Sequence, residues 1–157
     1  MYDTILVPTD GSTVAEVAVS HAVDIAEKYD ATVHALYVVD PDWVNYSLGS
    51  EQIDRLKQGH FDEMEDVEED ANEATGIVAD AAADRGVETV EEIRVGTPHD
   101  IISNYADGND VDLIVMGSHG RSGVRRALLG SVTERVLRSS HLPILVVDEQ
   151  GVEGREE

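Results

Sequence analysis

A glycine-rich stretch between residues 117 and 133 carries the residues best suited to bind an anion. Glycines stand at positions 117, 120, 123 and 130, and the last of them opens the run Gly-Ser-Val-Thr. Because glycine tolerates positive φ and lets a ligand approach the backbone closely, consecutive N–H groups here can form an anion nest. A helix beginning at Ser131 would add free N–H donors and the positive end of its dipole. The pattern predicts a phosphate-binding site.

A second polar stretch, Asp10-Gly11-Ser12, directly follows an apolar run near the start of the chain. It supplies a carboxylate beside a flexible glycine, but it also fits a plain turn and helix start, and both interpretations stay open. His119 is the one histidine inside the glycine-rich stretch, where it either contacts a ligand or fills the loop. The other five histidines show no zinc-ligand spacing such as H-E-x-x-H, so we predict no zinc site.

The elements that must position these residues alternate between strand and helix patterns. Thr13 with Glu16, and Ser131 with Glu134, have capping-box spacing, so we expect N-caps at Thr13 and Ser131. Thr97-Pro98 combines an N-cap residue with proline at the first helical position. The apolar patterns predict strands at 4–8, 32–39, 87–95, 112–116 and 143–147, and helices at 13–30, within the amphipathic segment 53–81, at 100–106 and from 131, with a loop at 41–50.

This order predicts an α/β fold, a single doubly wound (Rossmann-like) five-stranded parallel sheet with helices on both faces. Ligands of such sheets bind at the carboxyl ends of the strands, where the strand order reverses. The loops after the first, second and fourth strands are therefore the ones that matter. We expect one domain over residues 1–148 and an acidic tail at 149–157.

The composition excludes several classes of protein. There is no cysteine, so disulfides, thiolate metal sites and thiol nucleophiles are excluded. The 33 acidic and 11 basic residues give a net charge of −22, which argues against nucleic-acid and anionic-membrane partners. We interpret this acidity as adaptation to a salty, halophilic cytoplasm, because the Debye length falls to about 3 Å at about 1 M salt. Residues 113–147 are the exception, with one acid, Glu134, against five arginines.

Two segments together resemble a known family. Gly117-x-x-Gly120, nine residues, then Gly130-Ser131 resembles the ATP-binding signature of the universal stress protein family. The segment 5–12 (ILVPTDGS) resembles that family's opening strand and loop, and the similarity continues in order and spacing through the apolar run 142–147. Either motif alone would be weak, but both occur here within a five-strand α/β pattern.

The resemblance implies a sheet ordered 3-2-1-4-5 that binds ATP, or ADP or AMP, with Mg²⁺, across the first and fourth strands. By position, Asp10 would lie near the ribose or a nucleotide-bound Mg²⁺, and Val38 would meet adenine through its backbone. The remaining residues implied to line the ribose and phosphates, or to complete the pocket, are Pro8, Thr9, Met116, Gly117, His119, Gly120, Arg121, Gly130, Ser131, Val132 and Thr133.

The leading functional hypothesis is an ATP-binding regulatory module of the stress response. There is no Walker A lysine, so any hydrolysis is expected to be slow or partner-dependent. The alternatives are a slow ATPase or adenylyl-transfer enzyme on the same fold, and a family member that acts only through protein contacts. The resemblance also implies a homodimer through the fifth strand, 143–147, which as an apolar edge strand needs a covering partner.

Overall fold

The computed structural model describes residues 1–41, 65–119 and 129–148. Most of the predicted loop at 41–50 and the first part of the amphipathic segment therefore lie outside the described residues. Within them, strands and helices alternate as the sequence predicts. They are β1 (Thr4–Pro8), α1 (Thr13–Tyr29), β2 (Thr32–Val39), α2 (Glu65–Ala83), β3 (Thr89–Val95), α3 (Pro98–Gly108), β4 (Leu113–Gly117), α4 (Ser131–Ser139) and β5 (Ile144–Val147).

The five strands form one parallel sheet in the order β3-β2-β1-β4-β5, which confirms the expected topology. The chain builds outward from β1 to β3 and then returns to add β4 and β5 on the other side. The strand order thus reverses between β1 and β4. This switch point is where a sheet of this class has its ligand crevice.

Helices cover both faces of the sheet, because alternate side chains of each strand point to opposite faces. One core layer joins β1 and β2 to α1 and α2, and the other joins them to α3 and α4. The first layer includes Ile5, Val7, Val33, Ala18, Ala22 and Val78, and the second includes Leu6, Leu36, Ile114, Ile102 and Val136. On α1 the buried residues recur at three- and four-residue steps, as an amphipathic helix requires.

The expected N-caps of α1 and α4 are each wrong by one residue. Ser12, not Thr13, caps α1, and its hydroxyl accepts a hydrogen bond from the Ala15 N–H at 3.3 Å. At α4 the N-cap is Gly130, and Ser131 is the first helical residue. The reason at α4 is tertiary: the position before the helix packs against the backbone that follows β4, and a side chain there would collide with it.

Candidate functional site

The loop after β1 is held in one shape by short-range hydrogen bonds. The Thr9 N–H donates to the Leu36 carbonyl oxygen at 2.9 Å, which ties the loop to β2. The Asp10 Oδ1 atom accepts from the Ser12 N–H at 2.9 Å, and Gly11 between them has a φ of 79°. Only glycine adopts that φ without strain. The Asp10 carboxylate is thereby fixed at the carboxyl end of β1.

β1 and β4 form the two sides of the crevice. They are paired in register only over Ile5 with Leu113 and Leu6 with Ile114, whereas β1 and β2 are paired over five residues. The last residues of β1 and β4, Pro8 and Gly117, lie beyond those two pairs. The strands therefore leave an opening between their carboxyl ends, at the topological switch point.

The backbone of Val38 is directed toward this opening. In a strand, the N–H and C=O groups of successive residues point to alternate neighbours. Val39 accepts from the Gly96 N–H on the β3 side, whereas Leu36 accepts from Thr9 on the β1 side. Val38 shares the orientation of Leu36, and it lies two residues past the last pair between β2 and β1. Its peptide groups thus point toward the crevice, while its side chain packs against the core layer under α3 and α4.

α1 lies directly against Gly117, the last residue of β4. A Cβ at this position would be 2.5 Å from the Cγ1 atom of Val14, a buried residue in the first turn of α1. Such a distance does not occur between real side chains, so any larger residue would push α1 and β4 apart. The preceding residue, Met116, is 5% exposed and its side chain belongs to the core.

The start of α4 is fastened to the end of β4. The Gly130 N–H donates to the Ser118 carbonyl oxygen at 2.7 Å, and the Thr133 hydroxyl donates to the Gly117 carbonyl oxygen at 2.9 Å. A Cβ at Gly130 would lie 3.0 Å from the His119 Cα atom. Gly130 has an ordinary φ of −63°, so it is the close approach to His119 that requires glycine here.

The first turn of α4 offers main-chain donors for an anion. The first N–H that donates within the helix is that of Glu134, to the Gly130 carbonyl oxygen. The N–H groups of Ser131, Val132 and Thr133 come before it, and none of the three has a hydrogen-bond acceptor among the described residues. The Thr133 side chain, by contrast, is 3% exposed and its hydroxyl is committed to Gly117. Three backbone donors and the positive end of a helix dipole suit a phosphate group.

An acidic cleft opens on the other side of Asp10. It has a volume of about 210 Å³ and lies between the β1–α1 loop and α2, and its walls are Asp10, Gly11, Asp70, Glu73, Ala74 and Ile77. Three carboxylates face this space, whereas the backbone donors lie at α4. The described residues hold no group of three or more acidic or histidine side chains arranged to bind a metal by themselves. Mg²⁺ bound to a nucleotide can be held by as few as one protein carboxylate, and Asp10 can supply that one.

Some of the expected site residues lie outside the described chain. These are Gly120 and Arg121. The structure brings the others, including His119 at the end of the described β4 segment, to the carboxyl edge of the sheet.

Ser118 is not among the site residues expected from the sequence, although it lies between two of them. It is 7% exposed, and its hydroxyl oxygen has no hydrogen-bond partner in the described structure. Its peptide N–H donates to the Val147 carbonyl oxygen at 2.8 Å, and its carbonyl accepts from Gly130. Ser118 therefore links α4 to β5. Its position directly after an apolar strand was the available signal.

A second polar cluster lies on the α3 face, away from the crevice. The His34 Nδ1 atom is 2.7 Å from the Tyr105 hydroxyl, and the Arg94 guanidinium lies 5.6 Å from the centre of the Tyr105 ring. Burial lowers the pKa of His34 below its usual 6.5, and the nearby Glu92 carboxylate partly opposes that change. Burial, followed by Glu92, raises the pKa of Tyr105. Both rings are therefore uncharged at neutral pH.

Comparison with known proteins agrees with the fold and the motifs. The model of the universal stress protein family matches residues 1–148. The universal stress protein MJ0531 of Methanocaldococcus jannaschii is 38% identical over 148 residues, which cover 94% of this chain and 82% of that protein. The solved structure of MJ0577, from the same organism, superposes with a TM-score of 0.76 at 33% identity and covers 95% of this chain and 97% of the other.

A third relative adds a ligand. It is a universal stress protein solved in complex with cAMP, with a TM-score of 0.65 and 28% identity over 94% of this chain and 97% of that one. Among the described helices, none has the length and hydrophobicity that crossing a bilayer requires. The family model, the curated relatives and the shared sheet topology lead to one assignment: this chain belongs to the universal stress protein family.

Proposed function

We propose that this protein binds ATP, or in its place ADP or AMP, and acts as a nucleotide-dependent regulatory module of the stress response. The observation that carries this proposal is the set of three backbone N–H groups at the first turn of α4 that have no acceptor among the described residues and lie beside the switch point of the sheet. A family relative that binds cAMP supports an adenine nucleotide as the ligand class.

Each expected site residue has a distinct task in this proposal. The α4 donors bind the phosphates, Gly130 lets the start of α4 lie close to His119, and the backbone of Val38, which is directed toward the crevice, meets adenine. Asp10 accepts a hydrogen bond from the ribose or binds the Mg²⁺ that accompanies the phosphates. Pro8, Thr9, Met116, Gly117 and His119 shape the crevice between them, and Gly120 and Arg121 complete the phosphate loop.

The charges around the crevice would orient the ligand. Asp10, Asp70 and Glu73 place negative charge on the α2 side, and α4 presents its positive dipole end on the other. A triphosphate is repelled by the first and attracted by the second. The phosphates should therefore lie along α4, with the nucleoside toward β1 and β2.

We further propose that the functional unit is a cytoplasmic homodimer in which β5 of one copy pairs with β5 of another. β5 is an edge strand, and three of its four residues, Ile144, Leu145 and Val146, are only partly buried in the single chain. Leu137, on the neighbouring helix α4, is 39% exposed. An uncovered apolar edge of this kind invites pairing with another strand. The unit comprises residues 1–148, with 149–157 as an acidic tail suited to concentrated salt.

The test is equilibrium binding of ATP to the purified protein, with release of any retained nucleotide by denaturation and its identification by mass spectrometry. Gly130→Ala should weaken ATP binding at least tenfold, because the new Cβ pushes His119 away from α4. Gly76→Ala is the matched control, since a Cβ at Gly76 meets nothing within 4 Å. Equal ATP affinity in both variants would remove α4 from the site.

A turnover assay separates the regulatory module from the enzyme. A module retains ATP or ADP in a one-to-one ratio with little turnover, whereas an ATPase or adenylyl-transfer enzyme consumes many equivalents. Sustained multiple turnover by the purified chain would replace the proposed function with the enzymatic alternative.

A further inference from the structure

One residue of β2 presents both kinds of backbone group to the crevice. In a strand, the N–H and the C=O of one residue point to the same neighbouring strand, and those of Val38 point toward β1. The pairing of β1 with β2 ends two residues earlier, at Pro8 and Leu36, so β1 has already ended opposite Val38. Val38 thus offers a donor beside an acceptor. That pair complements the edge of adenine that carries N1 and the N6 amino group.

The position of the Val38 backbone is set on the other side of β2. The next residue, Val39, is the last of the strand and pairs with Val95 of β3. Its carbonyl oxygen accepts a hydrogen bond from the Gly96 N–H at 3.0 Å. Gly96 directly follows β3 and belongs to the turn that leads into α3. The β3–α3 turn therefore holds the end of β2 through Gly96.

The turn has room for glycine only, because the first turn of α3 lies against it. A Cβ at Gly96 would lie 2.9 Å from the Cδ1 atom and 3.0 Å from the Cγ1 atom of Ile101. The φ of Gly96 is 153°, which residues with a side chain rarely adopt. Ile101 packs against the second core layer, which limits how far it can move away. A side chain at position 96 would therefore displace the turn, and with it the N–H that Val39 accepts.

A displaced turn should disturb the base end of the crevice more than the phosphate end. The Val38 side chain belongs to the same core layer as Ile101, so both the side chain and the backbone of Val38 depend on the turn. The start of α4 has its own attachments to β4, through the Gly130 N–H and the Thr133 hydroxyl. The two ends of the crevice are thus held by different contacts.

We propose that Gly96 and Ile101 are positioning residues for base recognition, and that they hold the Val38 backbone where it selects adenine. This inference rests on the proposed function, since it specifies how the nucleotide site chooses its base. Hypoxanthine, the base of ITP, is the sharpest comparison, because its N1–H and O6 reverse the donor and acceptor of adenine at nearly the same size. Opposite Val38, donor would face donor and acceptor would face acceptor, which leaves polar groups without partners.

The primary experiment measures by calorimetry the dissociation constants of the full chain for ATP, ITP and ADP, each with Mg²⁺. The ITP-to-ATP ratio of dissociation constants reports on base recognition, and the ADP-to-ATP ratio reports on the phosphate-binding turn. In the wild type we expect an ITP-to-ATP ratio of at least about ten. In Gly96→Ala this ratio should fall at least about threefold, whereas the ADP-to-ATP ratio should change less than about twofold.

Two further variants identify the cause of a lost selectivity. Gly108→Ala is the matched control, since Gly108 is the last residue of α3 and a Cβ there meets nothing within 4 Å. It should keep the wild-type ITP-to-ATP ratio. Adding Ile101→Ala to Gly96→Ala removes both atoms that the new Cβ would meet, and should raise the ratio again at least about twofold. A double variant with the same ratio as Gly96→Ala overturns the role of Ile101.

Hydrogen exchange of the wild-type protein gives a readout that needs no variant. The Gly96 amide is bonded to Val39, so its exchange rate reports how firmly the end of β2 is held. Saturating ATP should slow this exchange at least about threefold more than saturating ITP. The Thr32 amide, bonded to Asp3 at the opposite end of the sheet, is the internal reference and should respond equally to both nucleotides.

The outcomes separate this inference from the function on which it rests. ATP binding with the same ITP-to-ATP ratio in Gly96→Ala and the wild type overturns the positioning role alone, as does a wild-type ratio near one. Equal slowing of Gly96 exchange by ATP and ITP overturns it too, and this measurement decides if Gly96→Ala does not fold. Absence of ATP binding to the wild type overturns the proposed function as well.

Discussion

Gly117 and Val14 are packed so closely that a Cβ on the glycine would lie 2.5 Å from the Val14 Cγ1 atom. This contact fixes the distance between α1 and the end of β4. Gly117→Ala should therefore lower the free energy of unfolding by about 1–3 kcal/mol, the usual cost of overpacking a core. Urea denaturation measures the change.

Val14→Ala tests whether that contact is the cause. Alone it destabilises by creating a cavity, but combined with Gly117→Ala it removes the colliding methyl group. The double variant should lose less stability than the sum of the single losses, by at least about 0.5 kcal/mol. Additive losses would show that Gly117 is required for a reason other than Val14.

Ser118 and Thr133 should respond in opposite ways when their hydroxyls are removed. The Ser118 hydroxyl is buried without a partner in the described structure, whereas the Thr133 hydroxyl is bonded to Gly117. Ser118→Ala removes an unsatisfied polar group and should stabilise the nucleotide-free protein by about 1 kcal/mol. Thr133→Val removes a satisfied one and should destabilise it by about 1 kcal/mol. Thermal unfolding of both variants and of the wild-type protein measures these changes. A Ser118→Ala protein less stable than the wild type would contradict this prediction.

His34 should make the protein less stable in mild acid. Its pKa is lowered in the folded state, so between that value and 6.5 the unfolded chain binds more protons than the folded one. Stability is therefore full above pH 6.5 and falls as the pH drops through this window. NMR titration of the His34 ring should give a pKa below 6.5, and His34→Gln should flatten the change in stability between pH 7 and 5. A ring pKa at or above 6.5 would refute the prediction.

Nucleotide binding should weaken when salt is removed, contrary to the usual behaviour of phosphate sites. The chain carries −22, and its repulsion of a triphosphate extends about 30 Å at about 0.01 M salt but only about 3 Å at about 1 M. The direct N–H contacts are screened much less. Calorimetric measurement of the ATP dissociation constant across that salt range tests this prediction. An ATP affinity that rises steadily toward low salt would contradict it.

Neutralising the acidic cleft should reverse most of that low-salt loss. Asp70→Asn combined with Glu73→Gln removes two charges next to Asp10 and should raise ATP affinity at low salt several-fold. Glu88→Gln combined with Asp107→Asn removes two exposed charges at the opposite end of the sheet and serves as the matched control. Equal gains in both double variants would assign the effect to net charge instead of the cleft.

Much of the architecture follows from the sequence because its strands are apolar runs separated by helical patterns and turn residues. The details at the site do not, because they arise from contacts between distant segments. Gly130 illustrates this: the sequence suggests a glycine needed for unusual backbone angles, but its φ is −63° and the requirement is contact with His119. The meeting of Asp10 with Asp70 and Glu73 depends on the placement of α2, some sixty residues away.

The unequal distribution of charge between α2 and the 113–147 region has a kinetic consequence. α2 contains acidic but no basic side chains, whereas the described part of the 113–147 region holds Arg135 and Arg138 against one acid, Glu134. The negative field is thus weaker on the α4 side than on the α2 side, so an incoming polyphosphate is repelled less where it approaches α4. Encounters that lead to nucleotide binding should therefore come mainly from the side of the molecule that carries α4. The approach of the nucleotide is then directional before any contact is made.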